Sequence, residues 1–234
     1  MQIKLFYFLL VVLFLLCSCD KENPSDLVLQ YKVIKPLAIG NSWTYQRFDT
    51  FNSDNQLIDT VVYDIWKKSG FDNETCYHQR LNGDTIHSSR FINRNSGLFL
   101  ISGNFGSLMF QIAKYPINIF DSVCSWDGPM TTLADPDGID SLRLKVFKKV
   151  TGTDTIINVP AGSFSCIEIS EFYYGFAESD TGQEYIDSIL AETFSLVEYY
   201  SFDTGLIKRN LVRQTKDGEL DIRNELLLLN YDVK

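Results

Sequence analysis

Histidine is scarce: His78 and His87 are the only two in a chain of 234 residues. That scarcity gives little support to a Ser-His-Asp triad or to a histidine-ligated zinc site. The chain has no HExxH, no GxSxG and no phosphate-cradling glycine loop. It has no CxxC, and its five cysteines are widely spaced apart from Cys17 and Cys19. Positive charge is also short, with 21 Lys and Arg against 30 Asp and Glu, a net charge of −9. A nucleic-acid binder would carry a basic patch, and adhesion to anionic lipid by charge alone would need one too. No apolar run reaches the about 20 residues that a membrane-spanning helix requires. The longest, Leu5 to Leu16, has twelve.

That run explains the front of the chain. Lys4 precedes it, and the polar stretch DKENPSD follows at residues 20–26. One positive charge, a short apolar core and a sharp polar switch are the layout of a secretory signal. Residues 1–18 are therefore expected to be a signal peptide. Leu16-Cys17-Ser18-Cys19 resembles the lipobox of bacterial lipoproteins, with Cys19 as the lipid-modified residue. Cys17 fits that pattern poorly, because Leu15 and Leu16 would precede it; an unprocessed anchor helix is the alternative. A single acyl chain anchors only marginally, at about 0.8 kcal/mol per methylene, whereas the two or three chains of a lipoprotein cysteine hold firmly. Residues 19–30 then read as a lipidated tether. Charge just after the cysteine resembles surface-export signals in some Gram-negative groups, and Asp20 resembles an inner-membrane retention signal in others. The expectation is an outer-membrane lipoprotein on the periplasmic or cell-surface face. Loss of Lys4, the one charge in residues 1–18, takes the net charge to −10.

From residue 31 onward the chain reads as strands. Runs rich in Val, Ile, Thr, Tyr and Phe alternate with Gly, Asn, Asp and Pro clusters. The expected fold is mainly β: a single curved antiparallel sheet or open half-barrel, with at most one or two short helices, as one domain over 31–234. Strands are expected at 43–51, 57–69, 98–102, 107–116, 141–151, 154–159, 163–174, 193–202, 206–215 and 219–231. Asn82-Gly83 predicts a two-residue hairpin within 78–92, since a type I′ turn wants positive φ at both positions. Pro160-Ala161-Gly162, Asp203-Thr204-Gly205 and Asp217-Gly218 predict tight turns. Such short links make neighbouring strands antiparallel. A short helix is expected within 181–192, where Tyr185, Ile189 and Leu190 have roughly helical spacing. The density of Leu226 to Leu229 predicts burial on both faces.

Three segments occur together: PLAIGNSWTY at 36–45, VPAGSFSC at 159–166 and YYSFDTGLIKR at 199–209. Their order, PLxxGxxWxY, VPAGxF and GLxK, resembles a widespread group of bacterial envelope lipoproteins of uncharacterised role. The resemblance covers roughly residues 36–213. It implies an open, curved antiparallel sheet related in shape to periplasmic lipoprotein carriers, and an envelope location. It brings no catalytic signature.

The remaining candidates for chemistry are thin. A two-residue turn at Asn82-Gly83 would set His78 opposite His87, about 5 Å apart at Cβ, but Arg80 shares their face and two ligands are too few for a zinc site. Both histidines are expected to point to water. Asp135, Asp137 and Asp140 miss the spacing of a calcium loop and read as a turn. Cys76, Cys124 and Cys166 are odd in number, so at least one stays free; buried free thiols are the preferred reading, and a Cys76–Cys124 bridge the other. Neither metal nor cofactor is expected. What remains is aromatic side chains, 17 Phe, 12 Tyr and 3 Trp, which could fill one large core or wrap a cavity. The functional expectation is a non-enzymatic, membrane-anchored lipoprotein that binds an apolar ligand or a protein partner, with no nucleic acid. Alternation nominates Trp43, Tyr45, Trp66, Phe110, Phe164 and Tyr200 as lining residues. The alternative is a surface glycan-binding protein or a glycan hydrolase, whose mark would be two buried carboxylates facing each other across a cleft.

Overall fold

Strict alternation starts the fold. In β1 (Ser42–Asp49), Trp43 and Tyr45 are buried while their neighbours are half-buried. The computed structural model describes residues 32–49, 56–102, 108–129, 142–177, 179–191, 194–214 and 220–234. Cys19, the signal segment, the tether, the Asp135–Asp140 turn and Asp217-Gly218 lie outside the described residues. The next strands are β2 (Gln56–Phe71), β3 (Glu74–Leu81), β4 (Ser89–Arg94), β5 (Gly97–Ser102) and β6 (Leu108–Lys114). The second half holds β7 (Ser122–Pro129), β8 (Arg143–Val159), β9 (Gly162–Phe176), helix α1 (Asp180–Ala191), β10 (Ser195–Ser201), β11 (Gly205–Gln214) and β12 (Leu220–Asp232).

Among the described residues these twelve strands form one sheet, in the order β6-β5-β4-β3-β2-β1-β12-β11-β10-β9-β8-β7. Each half is a meander of six strands, and the first strand pairs antiparallel with the last, Trp43 opposite Tyr231. Right-handed twist accumulates over so many strands until the sheet curls upon itself. The end strands β6 and β7 come back into contact, so the sheet is nearly closed into a barrel. The expected curved sheet is present, carried almost to closure.

The turns follow their chemistry. Pro160 and Ala161 bridge β8 and β9, and Ala161 N donates to Leu228 O at 3.1 Å. Gly205, at φ +108°, closes the β10–β11 turn directly beneath the Trp43 indole; a Cβ there would stand 3.0 Å from Trp43 Nε1. That indole donates to Thr204 O at 2.5 Å, and the Tyr45 hydroxyl donates to Leu206 O at 2.8 Å. The first and third sequence motifs are thus one packing unit, 161 residues apart in the chain.

Several local expectations need correction. Asn82 and Gly83 do have positive φ, but Asn82 stays bonded to β2 through Val62, and Asp84 then accepts from the Ile86 and His87 amides. A loop therefore replaces the two-residue hairpin, and His78 pairs with Arg90 instead of His87. His78 is buried, with Nε2 at 2.8 Å from Ser69 Oγ, while His87 is exposed, with Nδ1 at 2.9 Å from Asp84 Oδ2. The stretches 141–151 and 154–159 are one strand, interrupted by register shifts around Gly152. β7 went unpredicted. Leu226 and Leu228 are buried, but Leu229 is exposed, so β12 alternates. All three described cysteines are free: Cys76 and Cys166 are buried, and Cys124 is exposed.

Candidate functional site

The segment before β1 builds the floor of the barrel. Val33 O accepts from Asp203 N in the β10–β11 turn at 3.0 Å. Ile34 N donates to the Tyr115 hydroxyl, just past β6, at 3.3 Å. Lys35 O accepts from Asn93 Nδ2 on β4 at 2.7 Å. Three anchors on different parts of the wall stretch this segment across one end. Ile34 of this segment belongs to the main hydrophobic core with Trp43, Ile65, Leu98, Ile112, Ile167, Ile207 and Leu228.

Above that floor the barrel is hollow. A cavity of about 490 Å³ is lined by side chains from every strand from β1 to β11. Drug-sized ligand pockets span about 300–1,000 Å³, so this lumen falls within that range. Its wall has two characters. Phe91, Leu98, Leu100, Phe110, Ile112 and Trp126, on β4 to β7, make one side apolar. The other side, on β8 to β11, carries Lys148, Glu171, Glu198 and Arg209. α1 sits at the end opposite the floor, where Ile186 packs against Gly175.

Glu198 is the centre of the charged side. Its side chain is 3% exposed; Oε2 meets Lys148 Nζ at 2.9 Å and Oε1 meets Arg209 at 2.8 Å. Burial alone would raise its pKa, but the two cations outweigh burial and hold it well below the usual carboxylate range. Burial acts against the charge on Lys148 as well, yet Glu198 and Glu171 keep its pKa raised. Glu171 Oε2 lies 3.7 Å from the same ammonium, and Glu171 Oε1 accepts from the Tyr173 hydroxyl. Each of these four charged groups has an opposite charge within reach.

Lys35 does not. It rises from the floor into the lumen, where its residue is 9% exposed. Its ammonium stands 4.5 Å from the centre of the Phe91 ring and 5.4 Å from that of Trp43. Desolvation, then Arg209, pushes its pKa down to about 8, against the pull of Glu198. Among the described residues no carboxylate comes within 4.0 Å of it.

No protein family and no curated protein matches the chain. Its architecture does match a solved structure. An exported protein from Bacteroides fragilis, described as having a YmcC-like fold, superposes with a TM-score of 0.50, over 86% of this chain and 99% of that one, at 12% identity. The two share a fold. A protein from Parabacteroides distasonis, described as a lipoprotein, aligns at a TM-score of 0.45 and 13% identity over 86% of this chain and 99% of that one. At such identities the YmcC-like fold is the whole of the finding, and the chemistry has to be read from the lumen itself.

The six nominated lining residues divide evenly. Tyr45, Phe110 and Tyr200 do line the lumen. Trp43 is buried in the core at its base, 2% exposed. Trp66 falls at a register shift between Ile65 and Lys67 and sits outside, edge-on to His78, with Lys67 Nζ 4.4 Å from its ring centre. Phe164 packs edge-on to Tyr231 beyond the lumen. The charged lining residues and Lys35 were missed. A usable signal existed: Leu144, Val146, Lys148 and Val150 share one face of β8, as Leu196, Glu198 and Tyr200 share one face of β10. A charge in an otherwise apolar stripe marks a buried partner or a cavity.

Proposed function

We propose that this chain is a lipid-anchored envelope protein whose barrel lumen holds an apolar ligand, without transforming it. The lumen carries this reading. A chain building only a core would fill its interior to about crystal density, and here about 490 Å³ stays open between an apolar wall and a satisfied polar one. The fold shared with an exported protein, and the lipobox-like residues ending at Cys19, support placement in the outer membrane, on its periplasmic or cell-surface side.

The glycan-hydrolase alternative draws on Glu198, which is buried, and Glu171, which is partly buried, two carboxylates in one cavity. They sit on the neighbouring strands β9 and β10 and share Lys148. A glycosidase needs one carboxyl kept protonated as general acid, and Glu198 is driven the other way. Ser69 and His78 make a close pair on the side of the barrel wall away from the lumen, but His78 is buried and its Nδ1 has no hydrogen-bond partner among the described residues. A serine–histidine pair needs a third group at that nitrogen to orient the ring.

A protein-partner role keeps one specific observation. Phe120, Phe172, Tyr174 and Phe176 are exposed together on the outside, with Lys145 and Lys149 stacked over two of the rings.

Two measurements test the proposal. Membrane fractionation of wild type and Cys19→Ala should show the mutant leaving the membrane pellet; unchanged partitioning would contradict the anchor. Mass spectrometry of organic extracts of the purified protein should detect a lipid near one per chain. A clean extract would turn the account toward the partner-binding surface.

A further inference from the structure

The lumen lining holds three cations, Lys35, Lys148 and Arg209, against two carboxylates, Glu171 and Glu198. Lys148 and Arg209 are consumed by Glu198 and Glu171. Lys35 is the surplus charge, fixed at the floor by its own backbone and aimed into the open volume. Two aromatic rings flank it. Cation–π contacts of this kind fall well short of what an ammonium loses on leaving water. A buried cation facing a cavity with no anion of its own is half of an ion pair.

We infer that the missing half comes from the ligand: the lumen binds a single-chain amphiphile with one anionic head group, the acidic oxygens meeting Lys35 Nζ at the floor and the tail lying along Phe91, Leu100, Phe110 and Trp126 toward the end where α1 packs. This rests on the lumen being a ligand site, as proposed above. The polarity of the walls supports the orientation. Lys35 lies at the base, between Phe91 and Trp43; Phe91, Leu100 and Phe110 stand side by side on β4, β5 and β6, and Phe110 meets Trp126 at 5.7 Å between ring centres. The opposite wall has its charges already paired, so it gives an anionic head no second place to bind. Depression of the Lys35 pKa to about 8 leaves the ammonium mostly protonated at neutral pH, and an anion beside it would restore the lost stabilisation.

The test uses the full chain and three water-soluble probes with the same tail: ω-bromo-octanoate, ω-bromo-octanol and ω-bromo-octyl-trimethylammonium. Bromine quenches nearby indole fluorescence, and Trp126 lines the lumen. The expected result is quenching by the carboxylate at concentrations about tenfold or more below those needed for the alcohol, and the least quenching by the ammonium probe. Lys35→Met, which keeps length and adds no void, should remove the preference for carboxylate and leave alcohol binding within about twofold. The charge series on the unaltered protein decides the matter even if that variant folds poorly. Equal binding of carboxylate and alcohol would overturn the anionic head group while leaving an apolar-ligand lumen in place. Absence of quenching by all three probes would overturn the lumen as a ligand site, and this inference with it. A carboxylate preference that survives Lys35→Met in a folded variant would overturn the assignment to Lys35.

Discussion

Glu198→Ala should destabilise the protein by about 3–5 kcal/mol, the range seen when one partner of a buried ion pair is removed. The reason is what stays behind. Lys148, whose side chain is 10% exposed, would keep only Glu171 at 3.7 Å, and Arg209 would lose its carboxylate altogether. Urea unfolding followed by circular dichroism would show the midpoint falling with an unchanged slope. A combined change of Glu198, Lys148 and Arg209 to leucine with Glu171 to glutamine should cost much less, because no charge is then stranded. The pH dependence has a fixed sign. The folded-state pKa of Glu198 is depressed, so its contribution is complete above the unfolded carboxylate value of about 4.3 and fades as the pH falls toward the folded value. Acid melting of the wild type should therefore steepen below about pH 4, and Glu198→Ala should lack that component. An alanine variant within about 1 kcal/mol of wild type would mean that the network is solvated and that the lumen wall is softer than its geometry implies.

Trp43→Ala should cost about 3–5 kcal/mol, as removal of a fully buried large aromatic does. Trp43 joins four parts of the molecule. It packs on Gly205, donates to Thr204 O, stands in the core between β2 and β12, and presents a ring to Lys35. Trp43→Phe should recover most of the packing but leave Thr204 O without the indole donor, for a loss of about 1–2 kcal/mol. Thermal melting of both variants would check the ranking. The alanine variant should also weaken the carboxylate preference of the lumen, because one of the two rings that fix the Lys35 ammonium is gone. A truncation at Trp43 that left the melting temperature unmoved would mean that the motif unit of β1 and the β10–β11 turn does not hold the base of the barrel.

Much of this architecture is written locally. Trp43 and Tyr45 declare the inner face of β1 by alternation alone, Pro160-Ala161-Gly162 and Asp203-Thr204-Gly205 declare their turns, and α1 matches its apolar spacing at Asp180–Ala191. β7 was hidden because its run, SVCSWDGP, is short and ends in Gly-Pro, which reads as a turn. Asn82-Gly83 misled because the side chains of Asn82 and Asp84 capture backbone amides and draw the chain into a longer loop. Inward and lumenal also proved to be different properties. Trp43 and Tyr45 lie on the same face of one strand, yet Trp43 is buried in the core and Tyr45 lines the open volume. Depth along a barrel depends on the register of every strand, and Trp66 faces outward because it follows the inward Ile65 on β2. The ionic cluster needs four strands in correct register before Lys148, Glu171, Glu198 and Arg209 can meet. Lys35 needs still more: a floor segment tied to Asp203, Tyr115 and Asn93 at once.

Electron density inside the barrel, from protein crystallised without delipidation, tests the central idea most directly. Elongated density should start within hydrogen-bonding distance of the lysine ammonium on the floor and run along the phenylalanine-lined wall to Trp126. An interior closed by rotated side chains, or one holding only isolated waters around that ammonium, would contradict it.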